Sequence, residues 1–477
     1  MRKRKLSDYF LFRHRIGIGY ILLSLAFAIL LFLLPLISPN GLSEAEMQSA
    51  VDSNAISIET IKAGSIVDLP YHALQKGSIT LFGLSAYSIK LPSILLGIIL
   101  GILLILLLNR WFKNNVALIS SILTVLATPF LYLVGSGTPL IMLVFWPTLL
   151  LWLGSKIQGV TRPRISYCFY FIFALILSVF TPYIAYLAVL IFFYAIAHPH
   201  LRYTIKNLPR VPFILACLVA VTGVSLIGYA AIKNPTTGLE LLFSKDFTIR
   251  HFISNIRAGI LPFLSWTGSV ESTLLSPMIG LPTIALAITG MISTTKGFFA
   301  SRNSIASLLL VFTIFITGLN PDTAILSILP LAILTAHGIR YIIEKWYDLF
   351  PENPYARIFA ILPISLFIGI ILVSSLSHFI FGYRYNPAVA NEFQDDLSLV
   401  YQNVEPGSTL LISGGTLDYD FFHILDDQGK YTVTSTSEGL TAPVASLGKW
   451  PTKLKFELYR IIPSPKTINS DRIYIYK

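Results

Sequence analysis

DLPYHALQKGSITLFGLSAYSIKLPSILLGIILGILL, residues 68–104, changes character half-way along. Up to Ser88 it mixes polar and apolar side chains. From Ile89 to Leu108 it is apolar almost without a break, with Lys90 at the near edge. A helix of about 20 such residues crosses ~30 Å of hydrocarbon. Working outward, similar runs lie at about 16–37, 115–133, 138–154, 166–180, 182–197, 211–231, 277–293, 304–318, 323–342 and 356–378. With 89–108 they predict an all-α polytopic membrane protein of about eleven transmembrane helices.

Composition agrees. Of 477 residues, 54% are hydrophobic and only 12% are charged. Soluble domains carry roughly 25% charged residues. Mean hydropathy is +0.71. The lipid bilayer is therefore the first expected partner. The opening MRKRKLSDYFLFRHR precedes a run at 16–37 that is too long for a signal-peptide core and has no small-residue cleavage site after it, so it reads as a retained first helix.

The distribution of basic residues gives the topology. With the N-terminus numbered as cytoplasmic, the cytoplasmic segments hold Arg2, Lys3, Arg4, Lys5, Arg13 and Arg15, then Arg110 and Lys113, and so on to Arg340, Lys345 and Arg357. The short external loops near 135–137, 181 and 318–322 hold no Lys or Arg. That alternation is the positive-inside pattern. An odd number of spans places the C-terminal tail outside, in a multi-pass protein of the plasma membrane. The net charge of +11 is explained by these loops. Nucleic-acid binding is not expected, because the charge does not gather on one soluble face. Cys168 and Cys217 both fall in apolar runs and read as small buried hydrophobes.

Two external loops are long, 38–88 and 232–276, and a long loop between tightly joined elements usually has a function. From about Tyr385 polar and acidic residues take over. Residues 387–404 suggest an amphipathic helix, and TLLISG (409–414), YTVTSTS (431–437), KLKFELYRII (453–462) and RIYIYK (472–477) suggest strands. The expected division is a membrane part, 1–383, and a small extracytoplasmic α/β domain, 384–477.

No Asp or Glu lies within any span, which argues against ion-coupled transport. His337, in the tenth span, reads first as a packing residue and second as a relay. The acidic residues of the membrane part gather in the first loop: Glu44, Glu46, Asp52 and Asp68, with His72. Ser43 followed three residues later by Glu46 spells a capping box, so Glu46 reads equally as a cap and as a carboxylate able to act as base or metal ligand. Glu44 reads equally as a favourable helix-start charge. In the second loop, DFTIRHFISNIRAGI (246–260) puts Phe252, Ile253, Ile256 and Ile260 on one stripe and Arg250 and Arg257 on another, with Lys245 nearby. This is an interfacial helix that snorkels its arginines, or a cationic clamp for a lipid-linked phosphate.

Residues 68–104 also resemble the block after the first external loop of GT-C-fold, lipid-dependent glycosyltransferases, the dolichyl-phosphate-mannose protein mannosyltransferases and the aminoarabinose-lipid A transferase type. Pro70, Leu81, Phe82, Gly83, Ser85, Leu91, Pro92 and Ser93 carry the resemblance. It implies a GT-C-like fold and transfer of a sugar from a polyprenyl-phosphate donor to an unidentified acceptor on the outer face. It implies a first-loop carboxylate as base, Glu44 or Glu46 with Asp68 nearby. Arg250 and Arg257, with Lys62, would then contact the phosphate. Metal use stays open, a divalent ion being one option. Where the family has Asp-Glu this chain has Ala45 and Glu46; the family's phosphate-side Lys is Leu69 and its Arg is Lys90. These departures leave an inactive scaffold or partner-binding protein as the alternative, with a lipid or polysaccharide transporter behind it.

Overall fold

A computed structural model describes residues 14–37, 41–158, 165–206, 210–243, 248–264, 280–295, 300–350, 352, 355, 359, 361–383, 392–413, 415–436, 440, 442–448, 456–463 and 472–477. Its helices and strands run α1 (Arg15–Ile37), β1 (Leu42–Ser43), α2 (Glu44–Asn54), α3 (Ile58–Lys62), α4 (Leu69–Phe82), α5 (Ala86–Trp111), α6 (Asn114–Val125), α7 (Thr128–Gly135), α8 (Ile141–Gln158), α9 (Ile165–Ser178), α10 (Ile184–Ala197), α11 (Pro199–Lys206), α12 (Arg210–Lys233), α13 (Pro235–Leu242), α14 (Ile249–Leu264), α15 (Leu281–Thr295), α16 (Ser301–Leu319), α17 (Ile328–Leu349) and α18 (Ile361–Ser377). A 3₁₀ turn, Pro321–Ser327, leads into α17. The C-terminal part follows as β2 (Phe393–Gln394), α19 (Asp396–Asn403), β3 (Thr409–Ile412), α20 (Thr416–Asp427), β4 (Thr432–Thr434), β5 (Val444–Gly448), β6 (Leu458–Pro463) and β7 (Arg472–Tyr476).

The chain is a multi-pass membrane protein. Among the described residues, six helices are long and apolar enough to cross a membrane, and a seventh span forms if α6 and α7 count together across their 58° bend. Pro129 follows the break, and proline there both disfavours helix in the residue before it and lacks a donor for the helix behind. Four further apolar helices, Ile165–Ser178, Ile184–Ala197, Val221–Lys233 and Pro282–Thr295, have 10–17 residues. The expected number of about eleven spans is thus met only in part. A 14-residue helix such as α9 rises only about 21 Å, short of the hydrocarbon thickness.

Small residues let the helices approach closely, as they do in lipid where burial of apolar surface supplies little drive. A Cβ on Gly290 of α15 would run into the carbonyl oxygen of Leu334 of α17, and one on Gly338 would run into that of Leu286. The two glycines thus face each other's helix backbones. Outward-facing side chains such as Ile21, Leu25 and Ile29 of α1 are exposed and belong against lipid.

The first long loop, expected at 38–88, is mostly helical, built from α2, α3 and α4. The C-terminal sheet has the order β4-β3-β5-β7-β6, parallel through β4, β3 and β5, and antiparallel through β5, β7 and β6. All four expected strands are present in shortened form. Strand β5 and helix α20 were not expected, and the expected helix 387–404 is α19 together with β2, its residues 387–391 lying outside those described.

The C-terminal part does not stand apart from the membrane helices. One apolar cluster joins Leu42, Met47, Ala50, Ile79, Leu84 and Ile89 to Leu397, Val400, Phe421, Phe422, Ile424 and Leu425. Strands β1 and β2 pair antiparallel, Leu42 with Gln394 and Ser43 with Phe393. Asn54 Nδ2 donates to Asp427 Oδ2 at 3.0 Å, and the Tyr401 hydroxyl donates to the Leu84 carbonyl at 2.9 Å. Helix α2 is therefore held between α4 and α20.

Because Gly290 touches backbone rather than a flexible side-chain end, Gly290→Ala must force α15 and α17 apart. It should lower the melting temperature in detergent, with a cost of about 1–3 kcal/mol. Gly228→Ala, where a Cβ meets nothing, is the matched control and should leave melting unchanged.

Candidate functional site

Helix α2 opens with the full capping box. Ser43 Oγ accepts from the Glu46 amide at 3.3 Å, and Glu46 Oε2 accepts from the Ser43 amide at 3.1 Å. The other oxygen of Glu46 accepts from the Gly137 amide at 2.7 Å and lies 3.5 Å from Lys90 Nζ. Glu46 and Lys90 are each 2% exposed. Lys90 also donates to the Gly41 carbonyl at 3.1 Å and lies over the Phe393 ring, 5.4 Å from its centroid. So Glu46 ties the first loop, span α5, the 135–137 turn and the C-terminal part together. Glu44, two residues earlier, is exposed.

Farther along α2 a polar network holds α4. Gln75 Nε2 donates to the carbonyls of Ile89 and Gly137 at 3.0 and 2.9 Å. This orients its Oε1 toward Ser49 Oγ (2.8 Å) and Ser53 Oγ (2.6 Å). Ser53 Oγ also lies 2.7 Å from the Ser49 carbonyl and 2.8 Å from His72 Nδ1. A hydroxyl has one proton. Ser53 spends that proton on one of these three neighbours, and the choice sets which nitrogen of His72 carries the hydrogen. Burial lowers the His72 pKa, against the opposing effects of Asp52, Gln75 and Ser49, so the ring is neutral at pH 7.

Asp68 precedes α4 in a left-handed conformation, φ 48°, uncommon for a residue with a Cβ. Its amide donates to the Phe180 carbonyl at 2.8 Å, and its carboxyl bonds with the Thr181 side chain. Thr181 Oγ1 accepts from Trp146 Nε1 at 3.1 Å. Asp68 Oδ1 is buried without a hydrogen-bond partner. Burial pushes the carboxyl up to about 8; Thr181 pulls it down and Asp52 pushes it up further. At neutral pH Asp68 is therefore mostly protonated. The adjoining turn continues the chain of contacts, since the Tyr183 amide donates to the Leu241 carbonyl at 3.0 Å.

The expected cations lie elsewhere. Lys62 is exposed at the end of α3, and its carbonyl accepts from the Tyr229 hydroxyl at 2.7 Å. Arg250 and Arg257 are both exposed on α14. Part of the apolar stripe of α14 packs on the protein and part does not. Phe252 lies on Gly318, Gly259 lies on Thr317, and Asn255 Nδ2 donates to the Gly318 carbonyl at 3.1 Å, while Ile253 is 66% exposed. Glycines 259 and 318 allow a backbone approach that a count of apolar residues does not register. The side chain of Ile260 and residue Lys245 lie outside those described.

The structure thus separates the expected residues. Glu44 and Glu46 stand at the start of α2, and Asp68 stands near its other end with Asp52 and His72. Along a helix, Glu44 and Asp52 are about 12 Å apart. Among the described residues no ion pair joins Arg250, Arg257 or Lys62 to Glu44, Glu46 or Asp68. Nor does any group of three or more His, Cys, Asp or Glu among them have the arrangement to hold a metal ion. The bonding of Ser49, Ser53, Gln75 and His72 was missed at the sequence level; their spacing on α2 and α4 was the available signal. His337 is buried with its ring edge-on to Phe112, centroids 4.8 Å apart.

A family model for dolichyl-phosphate-mannose-protein mannosyltransferase matches residues 70–228. The fold is similar along almost its whole length to ArnT from Cupriavidus metallidurans. The apo form shares 13% identity at a TM-score of 0.56, covering 97% of this chain and 98% of that one. The form bound to undecaprenyl phosphate shares 12% at 0.55, covering 96% and 98%. The apo oligosaccharyltransferase of Archaeoglobus fulgidus matches more loosely, with 12% identity, a TM-score of 0.49, and 86% and 64% coverage. No curated protein sequence matches significantly. The resemblance carried by residues 68–104 therefore holds: the chain has the GT-C fold of the protein mannosyltransferase and ArnT type.

Lys90→Met leaves a buried, uncompensated carboxylate at Glu46. It should cost on the order of 3–5 kcal/mol, measured by thermal unfolding, and adding Glu46→Gln should recover much of the loss. Asp68 sets a second expectation. The unfolded chain releases this proton near the ordinary aspartate value of 3.8, whereas the folded chain keeps it to about 8. Between these values the folded state binds more protons, so this residue's contribution to stability declines as pH rises and levels off above about 8. Melting temperatures of wild type and Asp68→Asn across pH 4–9 should diverge with that slope.

Proposed function

We propose that the chain is a membrane glycosyltransferase that moves a sugar from a polyprenyl-phosphate donor to an acceptor at the outer membrane face. The observation that carries this reading is the end-to-end likeness in fold to ArnT, which has been captured with undecaprenyl phosphate. The family-model match over residues 70–228 supports it independently. In this reading the four shorter apolar helices complete about eleven spans, the N-terminus is cytoplasmic, and residues 384–477 form an external domain at the plasma membrane.

Of the three candidate carboxylates, Glu46 is engaged at both oxygens and Asp68 is buried and protonated. Glu44 is the exposed one, and as general base it would take the proton of an acceptor hydroxyl. Arg250 and Arg257 lie about 10 Å apart along one helix, and with Lys62 they are the proposed contacts for the phosphate. One observation favours the second reading, an inactive scaffold: the family's acidic position is occupied here by a glutamate wholly spent on structure.

The test is release of undecaprenyl phosphate from a panel of undecaprenyl-phosphate-linked sugars by the purified protein in nanodiscs, with a membrane extract supplied as the source of acceptor hydroxyls. Glu44→Gln should slow release at least ~100-fold with unchanged melting. Arg250→Ala with Arg257→Ala should raise the KM for donor about tenfold, or 1.4 kcal/mol. Full activity in Glu44→Gln overturns the assignment of the base, and no release by wild type from any sugar favours the scaffold.

A further inference from the structure

The lysines of the first long loop are not alike. Lys76 Nζ is spent on the carbonyls of Asn54 and Ile56, and Lys90 on Glu46 and Gly41. Lys62, at the end of α3, is exposed, and its ammonium makes no hydrogen bond or ion pair among the described residues. Lys233, the last residue of α12, is exposed and unengaged in the same way. Two contacts bring them together. The Tyr229 hydroxyl of α12 donates to the Lys62 carbonyl at 2.7 Å. A Cβ on Gly64 would stand 3.2 Å from Lys233 Cβ and 3.4 Å from the Ala230 carbonyl oxygen. Gly64 has φ +91°, the left-handed turn after α3, so both the turn and the close approach to α12 call for glycine. Lys62 is two residues from that contact, a span of at most about 7 Å. The acidic residues nearest along the chain are Glu59, one turn before Lys62, and Glu240 on α13. No ion pair joins either to these lysines among the described residues. Beside the two lysines α12 is apolar and open: Val221, Val224 and Ile232 are 62, 72 and 81% exposed, and Gly228 faces empty space.

We propose that Lys62 and Lys233 together bind the phosphate of an anionic phospholipid whose acyl chain lies along Val221, Val224 and Ile232. Charge and surface select this ligand jointly. Two ammonium groups against the one carboxylate of Glu59 leave a positive site, and ammonium binds phosphate as a point charge. A zwitterionic head group brings its own cation and gains less there. A free phosphate ion has no chain to cover the apolar face of α12. Tyr229 stands at the border between lysines and aliphatic side chains, where tyrosine is enriched in membrane helices. The lipid differs from the proposed sugar donor. Arg250 and Arg257 stand on α14, which packs on α16 and the 3₁₀ turn, whereas Lys62 is bonded to α12. The inference goes beyond the sugar-transfer reading: it gives Lys62 to a lipid that is not consumed and leaves the donor phosphate to the two arginines. A bound head group would tie the first long loop to α12.

The experiment is native mass spectrometry of the purified full chain in detergent, titrated with phosphatidylglycerol or with phosphatidylcholine of the same chains. Phosphatidylglycerol should bind at least tenfold more tightly. Lys62→Gln and Lys233→Gln should each weaken it about fivefold, and the double variant at least tenfold. Lys62→Arg with Lys233→Arg keeps the charges and should keep the binding, which separates loss of charge from loss of fold. Lys430→Gln with Lys477→Gln removes the same charge from the C-terminal part and should change nothing, as should Arg250→Ala with Arg257→Ala. Excess inorganic phosphate should not displace the lipid. Equal binding of phosphatidylcholine, full binding in the double Gln variant, loss in the double Arg variant, or loss in either control pair overturns the proposal. So does displacement by inorganic phosphate. Displacement by undecaprenyl phosphate returns Lys62 to the donor and overturns it too. No sugar transfer enters these measurements, so failure of the glycosyltransferase reading leaves them standing, and their failure leaves that reading untouched.

Discussion

A single buried ion pair, Glu46 with Lys90, holds the first long loop and the C-terminal part together. Removing two charges from water is costly, and the cost is met here by complete engagement of the carboxylate and a carbonyl and an aromatic ring for the ammonium. The pair spans four separate parts of the chain. Through Ser43 it starts α2, through Gly137 it fixes the turn between two membrane helices, and through Gly41 and Phe393 it reaches both strands that join the first loop to the C-terminal part. The Gly137 peptide is held at both ends, its amide by Glu46 and its carbonyl by Gln75. Positions of the residues along α2 thus descend from one electrostatic joint.

Local features were legible in the sequence, and tertiary ones were not. The capping box of Ser43 and Glu46 is a four-residue pattern, and it stands as read. The role of Lys90 was half visible. Its family position was clear from LPS at 91–93, but its partner lies 44 residues earlier in the sequence and nothing local points there. The contact of α14 with the chain was not legible, because glycine counts as neither apolar nor polar, yet Gly259 lies on Thr317 and Gly318 on Phe252. The bend at Thr128-Pro129 was hidden inside one hydropathic run, and hydropathy does not distinguish the 14-residue helices α9 and α10 from longer spans. His72 was legible only as a neighbour of the first-loop carboxylates, and its place in the network of Ser49, Ser53 and Gln75 depends on the fold.

The acidic residues of the first loop illustrate how environment divides equal chemistry. Three carboxyl groups within 25 residues take three forms: Glu44 open to water, Glu46 spent in a joint with Lys90, Asp68 buried with its pKa pushed up to about 8. The division follows from α2 being sandwiched between α4 and α20. Two of its sides are committed to packing, and only the stripe of Glu44, Gln48 and Asp52 remains for solutes.

That sandwich also has a consequence for the order in which the protein is made. Asn54 and Asp427, which bond to each other, are 373 residues apart in sequence. At a synthesis rate of roughly 5–20 residues per second, α2 is delivered roughly 20–75 s before α20. Through that interval Met47, Ala50 and Ile79 have no C-terminal cover. This end of the protein is therefore assembled last, and an unfinished chain keeps an uncovered apolar surface on α2 and α4.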